Sequence, residues 1–157
     1  MPNEIERKYL VDLTRVGTLE NGVLMKQGYI PTADNTAVRV RIAGTKAWLT
    51  LKGENKGLTR TEFEYEIPQQ DAKEMLSQLC KGPSIEKTRY LIRHRHHNWE
   101  LDIFHGDNEG LVVAEIELNH ESEHFEVPTW VTTEVSGDSK YYNSSLLTYP
   151  FKQWHSK

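Results

Sequence analysis

Polar and apolar residues alternate along most of the chain with a period of two, which is typical of β-strands. Glu62, Glu64 and Glu66, for example, fall on one face of an extended chain, while Phe63 and Tyr65 fall on the other. The alternation predicts eight strands, at residues 4–11, 23–30, 37–43, 47–52, 61–67, 85–93, 99–104 and 111–119. The sequence therefore predicts a mainly β (α+β) protein.

Helical spacing is confined to two places. Apolar residues recur at helical spacing between Ala72 and Leu79, which predicts a helix over residues 69–80. A second, short helix is predicted around Tyr141 to Leu147. No repeat, linker or low-complexity stretch interrupts the pattern, so we expect one domain over residues 1–157.

Composition excludes several classes of protein. Hydrophobic residues make up 37% of the chain, and four Trp and seven Tyr argue against disorder. A single cysteine, Cys80, excludes a disulfide scaffold, and a net charge of −4 argues against a nucleic-acid partner. No apolar run approaches the roughly 20 residues of a membrane span, and the charged N-terminus lacks a signal-peptide core. We therefore expect a soluble, cytoplasmic protein without a membrane partner.

The charged residues are arranged in a way that the net charge conceals. On several strands, one face carries charges of the same type two residues apart: Glu4-x-Glu6-x-Lys8, Arg39-x-Arg41, Glu62-x-Glu64-x-Glu66, Lys87-x-Arg89 and Glu115-x-Glu117. A solvated face explains any one such pair. If the sheet instead closes with these faces inside, the interior must hold water, metal ions or a charged ligand, because desolvating isolated charges costs several kcal/mol each.

Both signs of charge point to the same chemistry. Basic side chains bind phosphate oxygens, and five lie on the charged strand faces: Arg39, Arg41, Lys52, Lys87 and Arg89. Carboxylates are hard ligands for Mg²⁺ or Mn²⁺, and seven are candidates: Glu4, Glu6, Glu62, Glu64, Asp102, Glu115 and Glu117. This combination is typical of metal-assisted phosphoryl transfer.

The order of these motifs resembles the CYTH proteins, also called triphosphate tunnel metalloenzymes. The chain is similar in particular to short bacterial-type members that are inorganic triphosphatases. The resemblance extends from residue 3 to about 147 and rests on eight elements: Glu4-Ile-Glu6-Arg-Lys8, Arg39-Val-Arg41, Thr50-Leu-Lys52, Arg60-Thr-Glu62-Phe-Glu64, Glu86-Lys87-Thr-Arg89-Tyr90, Glu100-Leu-Asp102, Glu115-Ile-Glu117 and Asp138-Ser-Lys140-Tyr141.

The resemblance implies an eight-stranded antiparallel tunnel barrel that binds a linear triphosphate with one or two Mg²⁺ or Mn²⁺ ions. It implies that the following residues bind triphosphate oxygens: Lys8, Arg39, Arg41, Lys52, Lys87, Arg89 and Lys140. It implies a metal-binding group made of Glu4, Glu6, Glu62, Glu64, Asp102, Glu115 and Glu117. Within this group, Glu62 and Glu64 would either contact a metal through water or orient the basic residues.

The expected reaction is hydrolysis of inorganic tripolyphosphate to pyrophosphate and phosphate. Tyr29 and Lys87 are the candidate general-base residues, which together would take the proton of the attacking water. An adenylate cyclase of the class IV type, a thiamine triphosphatase and a non-catalytic module for polyphosphate or nucleotides remain open alternatives. The outward apolar residues, among them Phe63 and Tyr65, need cover from the helix, the tail or a second subunit, which leaves a homodimer open.

Overall fold

A computed structural model describes residues 3–154, which form nine β-strands, one α-helix and five short 3₁₀ helices. The strands are β1 (Asn3–Val11), β2 (Val23–Ile30), β3 (Ala37–Ala43), β4 (Lys46–Lys52), β5 (Thr59–Ile67), β6 (Ile85–His94), β7 (His97–Phe104), β8 (Val112–Glu117) and β9 (Val131–Glu134). Helix α1 spans Gln69–Gln78. The 3₁₀ helices span Leu13–Arg15, Gly106–Asn108, Ser139–Tyr141, Ser145–Leu147 and Phe151–Gln153.

Eight of the strands form a closed antiparallel barrel. Its order is β1-β5-β4-β3-β2-β6-β7-β8, and β8 pairs with β1 to complete the circle. The eight strands and the helix over residues 69–80 are confirmed. The short helix predicted around Tyr141 to Leu147 is instead two separate 3₁₀ turns, Ser139–Tyr141 and Ser145–Leu147. The ninth strand, β9, was not predicted, because Val131–Glu134 is only four residues long and lacks alternation. It pairs with the end of β1 beyond the β5 contact.

Closure places the charged faces of the strands inside, because side chains alternate across a β-strand. On β1 the inward positions run from Glu4 through Lys8 to Leu10, so the interior changes from acidic to basic to apolar along the barrel. The apolar end is filled by a buried cluster to which the C-terminal tail contributes: Ile85, Phe104, Leu111, Val113 and Leu146. The tail therefore seals one end of the barrel.

The outward faces carry the rest of the hydrophobic core. Helix α1 covers β2, β3 and β4, where Ala72 packs on Val40 and Ala47. A second cluster forms on the outer faces of β1, β7 and β8, and the tail contributes Trp130 to it. Its buried members are Tyr9, Trp99, Leu101, Ala114, Ile116, Leu118 and Trp130. The predicted cover by helix and tail is thus confirmed for these strands.

The outer face of β4 and β5 is less covered within the chain. Leu51 is 38% exposed, Phe63 37% and Tyr65 55%. A second subunit on this face stays a prediction. The single α-helix of residues 3–154 has ten residues, too few and too polar for a membrane span.

Candidate active site

The barrel encloses a cavity of about 230 Å³ between the acidic end and the apolar seal. Thirteen of the site residues predicted from the sequence line it: Glu4, Glu6, Lys8, Tyr29, Arg39, Arg41, Lys52, Glu62, Glu64, Lys87, Arg89, Glu115 and Glu117. They come from all barrel strands except β7, whose Glu100 lines the cavity as well. The alternation of each strand is therefore what brings residues distant in sequence into one site.

A buried ion-pair network forms the inner wall of the cavity. Lys87 Nζ lies 2.8 Å from Asp102 Oδ2, and both side chains are only 1% exposed. Arg89 donates to the same carboxylate through Nε at 2.7 Å and Nη2 at 2.9 Å. Arg89 also contacts Glu100 at 3.2 Å and Glu115 at 3.4 Å. The network fixes the two basic side chains at the cavity wall.

Burial changes the proton affinity of this network. Burial, together with the positive charges of Arg89 and Arg41, lowers the pKa of Lys87 to about 7, although Asp102 opposes the shift. Burial acts to raise the pKa of Asp102, but the positive charges of Lys87 and Arg89 outweigh it and keep that pKa below its usual value. At neutral pH, Lys87 is therefore available in part as a free amine beside an ionised carboxylate.

The arginines of β3 crowd positive charge into the cavity. Burial, with the neighbouring Arg39 and Arg89, lowers the pKa of Arg41 to about 9. Arg39 donates through Nη2 to Thr50 and Glu64 at 3.3 and 3.4 Å. Its Nε is buried and has no partner among the described residues. An unpaired buried donor beside like charges favours binding of an anion.

The opposite end of the cavity gathers carboxylates around one lysine. Lys52 Nζ lies 3.1 Å from Glu4 and 3.4 Å from Glu62. Burial and neighbouring carboxylates raise the pKa of Glu62 and that of Glu117. Burial and the adjacent Glu115 raise the pKa of Glu6 well above its usual value. These carboxylates repel one another more than Lys52 compensates.

This donor set fits a hard divalent cation by its chemistry. Mutual repulsion makes ionisation of these carboxylates unfavourable, so a bound cation stabilises their ionised forms strongly. Within residues 3–154, however, no three acidic, histidine or cysteine side chains already converge as a metal site. Lys52 stands between Glu4 and Glu62, so the carboxylates are gathered but still held by an ammonium group.

Two predicted site residues lie elsewhere. Asp102 is completely buried behind Lys87 and Arg89, which engage both of its oxygens. Lys140 lies in the tail with its Nζ 4.6 Å from the ring centroid of Trp154 and 5.6 Å from that of Tyr141. The metal-binding role of Asp102 and the phosphate-binding role of Lys140 stay predictions.

Several residues of the site were missed from the sequence. Among those that line the cavity are Arg60, Glu100, Ser136, Tyr142 and Asn143. Gln27 is completely buried and connects Arg41 to Asn143. Arg60 and Glu100 stand in the charged motifs and follow the strand alternation, which could have identified them. Gln27 and Asn143 are uncharged, and no pattern in the sequence distinguishes them.

Comparison with known proteins gives consistent results. The family model described as CYTH domain matches residues 2–146. An inorganic triphosphatase of Acetivibrio thermocellus is 46% identical over 154 residues, which cover 98% of this chain and 99% of that protein. An inorganic triphosphatase of Nitrosomonas europaea is 38% identical, with 91% of this chain and 95% of that protein covered.

Solved structures agree in fold. The crystal structure of an inorganic triphosphatase has a TM-score of 0.66 and 36% identity, with 94% of this chain and 95% of that chain covered. A protein from Hippeastrum, described as a putative adenylyl cyclase with a dominant triphosphatase activity, has a TM-score of 0.60 at 17% identity. The similarity covers 76% of this chain and 80% of the Hippeastrum chain. That likeness shows the fold alone.

Proposed function

The chain belongs to the CYTH family, and from that premise we propose that it hydrolyses a linear triphosphate, inorganic tripolyphosphate, to pyrophosphate and phosphate. The observation that carries the proposal is the basic part of the cavity, where Arg39 Nε is buried without a partner among the described residues. A polyanion would satisfy that donor and offset the crowding of Arg39, Arg41 and Arg89. Two relatives named inorganic triphosphatase, at 46% and 38% identity, support this choice of substrate.

The basic residues divide by geometry into two groups. Lys8, Arg39, Arg41 and Arg89 line the inner part of the cavity and would hold the phosphate chain. Lys52 would bind the same chain from among the carboxylates. Asp102 would act on these groups from behind, since it neutralises and orients Arg89 without lining the cavity.

The carboxylates around the cavity would hold the metal, Mg²⁺ or Mn²⁺. They are Glu4, Glu6, Glu62, Glu64, Glu115 and Glu117. When bound, a divalent cation neutralises charge on phosphate oxygens and lowers the pKa of a coordinated water. Lys52 would exchange carboxylate contacts for phosphate contacts as the site fills, because it is the cation that now holds Glu4 and Glu62.

The reaction step needs a group that takes the proton of water. The oxygen of water forms a bond to a terminal phosphorus, and the bridging P–O bond breaks with its electron pair leaving on pyrophosphate. We assign the released proton to Lys87 Nζ, with the Tyr29 hydroxyl as its partner at the cavity wall. The lowered pKa of Lys87, about 7, supports this assignment.

A side-by-side assay tests the proposed function. Phosphate release would be measured from tripolyphosphate, ATP and thiamine triphosphate, with Mg²⁺ and with Mn²⁺, while cyclic AMP is monitored. We expect rapid metal-dependent hydrolysis of tripolyphosphate and little turnover of the other two. Glu117→Ala should lower turnover sharply, whereas Glu134→Gln, which alters an exposed pair with Arg7 outside the cavity, should not.

Each other outcome of this assay points to a different activity. Cyclic AMP with pyrophosphate would indicate an adenylate cyclase, because the phosphate-binding residues alone do not define the organic part of the substrate. Preferred turnover of thiamine triphosphate would indicate a thiamine triphosphatase. Tight triphosphate binding without release of phosphate would indicate a binding module.

A further inference from the structure

The segment 135–144, here called the strap, brings an uncharged side chain into the basic end of the cavity. Hydrogen bonds to Lys8 fasten the strap to β1: Val135 N donates to Lys8 O at 2.8 Å, Lys8 N to Ser136 Oγ at 2.9 Å, and Lys8 Nζ to Tyr141 O at 3.1 Å. Asn143, near the end of the strap, lines the cavity. Its position is therefore set by the barrel and not by a free loop.

The orientation of the Asn143 amide follows from its neighbours. An arginine nitrogen can only donate, so Arg41 Nε, 2.8 Å from Gln27, requires the Gln27 oxygen on that side. Gln27 must then present its NH₂ group to Asn143 at 2.9 Å. Asn143 consequently offers its oxygen, which also accepts a hydrogen bond from Lys87 Nζ at 3.0 Å. The chain of contacts permits only this arrangement.

The same contacts determine which side of Lys87 Nζ faces the cavity. Lys87 Nζ forms an ion pair with Asp102 at 2.8 Å and donates a hydrogen bond to Asn143 at 3.0 Å. The side of Nζ that is turned away from these two contacts faces the cavity that Lys87 lines. Gln27 also donates a hydrogen bond to the Tyr29 hydroxyl oxygen at 3.3 Å. The Tyr29 O–H can therefore donate a hydrogen bond to a different group.

We propose that Asn143 is a positioning residue, whose side-chain oxygen, held by Gln27, aims Lys87 Nζ at the substrate. The proposal rests on the proposed function, in which Lys87 takes the proton of the attacking water. Asp102 alone would leave Nζ free to rotate about one contact, and Asn143 supplies the second contact that fixes it. The strap thereby completes the active site and does not merely close it.

The proposal predicts that Asn143 acts only through Lys87. Asn143→Ala should lower kcat for tripolyphosphate on the order of tenfold to a hundredfold, with little change in KM, as is typical when a supporting hydrogen bond is removed. Asn143→Asp keeps an acceptor oxygen, but its charge raises the pKa of Lys87. It should therefore recover kcat only at a pH above that of the wild type, and its charge should raise KM for a polyanion. Ser139→Ala, an exposed strap position away from the cavity, is the matched control and should equal the wild type.

A double-mutant cycle with Lys87→Ala decides between positioning and direct contact. If Asn143 works through Lys87, the Asn143→Ala/Lys87→Ala variant is no slower than Lys87→Ala. Independent effects in the double variant, or a loss in Asn143→Ala confined to KM, would show that Asn143 touches the substrate itself and would overturn the proposal. Thermal unfolding of every variant identifies those that fail to fold, and the Asp variant then carries the comparison.

A second measurement does not depend on turnover. A buried ammonium group with two acceptors exchanges its protons slowly, so Lys87 should give a ¹H–¹⁵N signal under mildly acidic conditions that is missing in Lys87→Ala. We expect this signal to disappear in Asn143→Ala and to persist in Asn143→Asp. If the wild type releases no phosphate, the proposed function fails, yet this signal still decides whether Asn143 holds Lys87. An unchanged Lys87 signal in Asn143→Ala would show that Asn143 does not hold Lys87 and would overturn the proposal.

Discussion

At the scale of single residues, the chemistry depends on whether Lys87 is a base or only a positive charge. Its pKa near 7 and its contact with Asp102 allow either function. Arginine separates the two, because it keeps the charge and cannot take up a proton near neutral pH. The comparison of two variants at this position therefore tests the chemistry directly.

We expect Lys87→Ala and Lys87→Arg to lower kcat for tripolyphosphate to a similar extent, on the order of 10² to 10⁴, the usual contribution of a positioned base. Steady-state kinetics with saturating metal would measure this, with thermal unfolding as a check that the larger arginine is accommodated. A Lys87→Arg variant that folds and retains most of its activity would show that Lys87 only binds phosphate.

Residues of the site differ in how well the sequence identifies them. The charged ones follow strand parity, so the alternation places Arg39 and Arg89 on charged strand faces, and the family resemblance implies that these faces lie inside the barrel. Gln27 lies on the same parity as Tyr29 but carries no charge, and Asn143 lies in a tail without periodicity. Both act through hydrogen bonds whose geometry depends on tertiary contacts, and the sequence does not encode those contacts locally.

At the scale of secondary structure, helix α1 and strand β2 are joined at a position where only a small residue fits. A Cβ atom on Gly28 would lie 2.9 Å from Leu76 and 3.1 Å from Cys80. Gly28 lies between Gln27 and Tyr29, whose side chains face the site on the other side of the strand. Packing outside the barrel and geometry inside it are therefore coupled through one backbone segment.

We expect Gly28→Ala to destabilise the protein by about 1–3 kcal/mol through overpacking and to lower activity by displacing Tyr29. Chemical denaturation and the tripolyphosphate assay would measure the two effects. Gly53→Ala is the matched control, since a Cβ there meets Thr61 at an ordinary 3.5 Å and should change stability by less than about 0.5 kcal/mol. Recovery in Gly28→Ala/Leu76→Ala would confirm the contact, and equal effects of Gly28→Ala and Gly53→Ala would contradict it.

At the scale of the whole molecule, the barrel keeps its hydrophobic core on the outside and its charges within. The charged faces of several predicted strands, together with the family resemblance, already predict this inversion. Nothing in the alternation predicts the seal at one end, because Phe104 and Leu146 belong to distant segments that meet only after the tail folds back. The strand β9, which leads into the strap, was missed because it is short and lacks alternation.

The inversion crowds positive charge in the basic part of the cavity, where burial and like charge lower the pKa of Arg41 to about 9. A polyanion should relieve this repulsion and stabilise the fold even without metal. At a hundredfold excess over Kd, binding to the native state alone contributes about 2.7 kcal/mol. For a chain of this size, that corresponds to a Tm increase of about 5–10 °C.

We therefore expect tripolyphosphate with EDTA to raise Tm in a thermal unfolding assay, and equimolar inorganic phosphate to raise it far less, because one phosphate group cannot reach all the basic side chains. Arg39→Gln should reduce the shift, since it removes the buried Nε donor that lacks a partner among the described residues. Arg15→Gln, which alters an exposed arginine outside the barrel, should leave it unchanged. A shift that appears only when metal is added would show that the basic residues do not form a phosphate site by themselves, and that the carboxylates must bind their cation first.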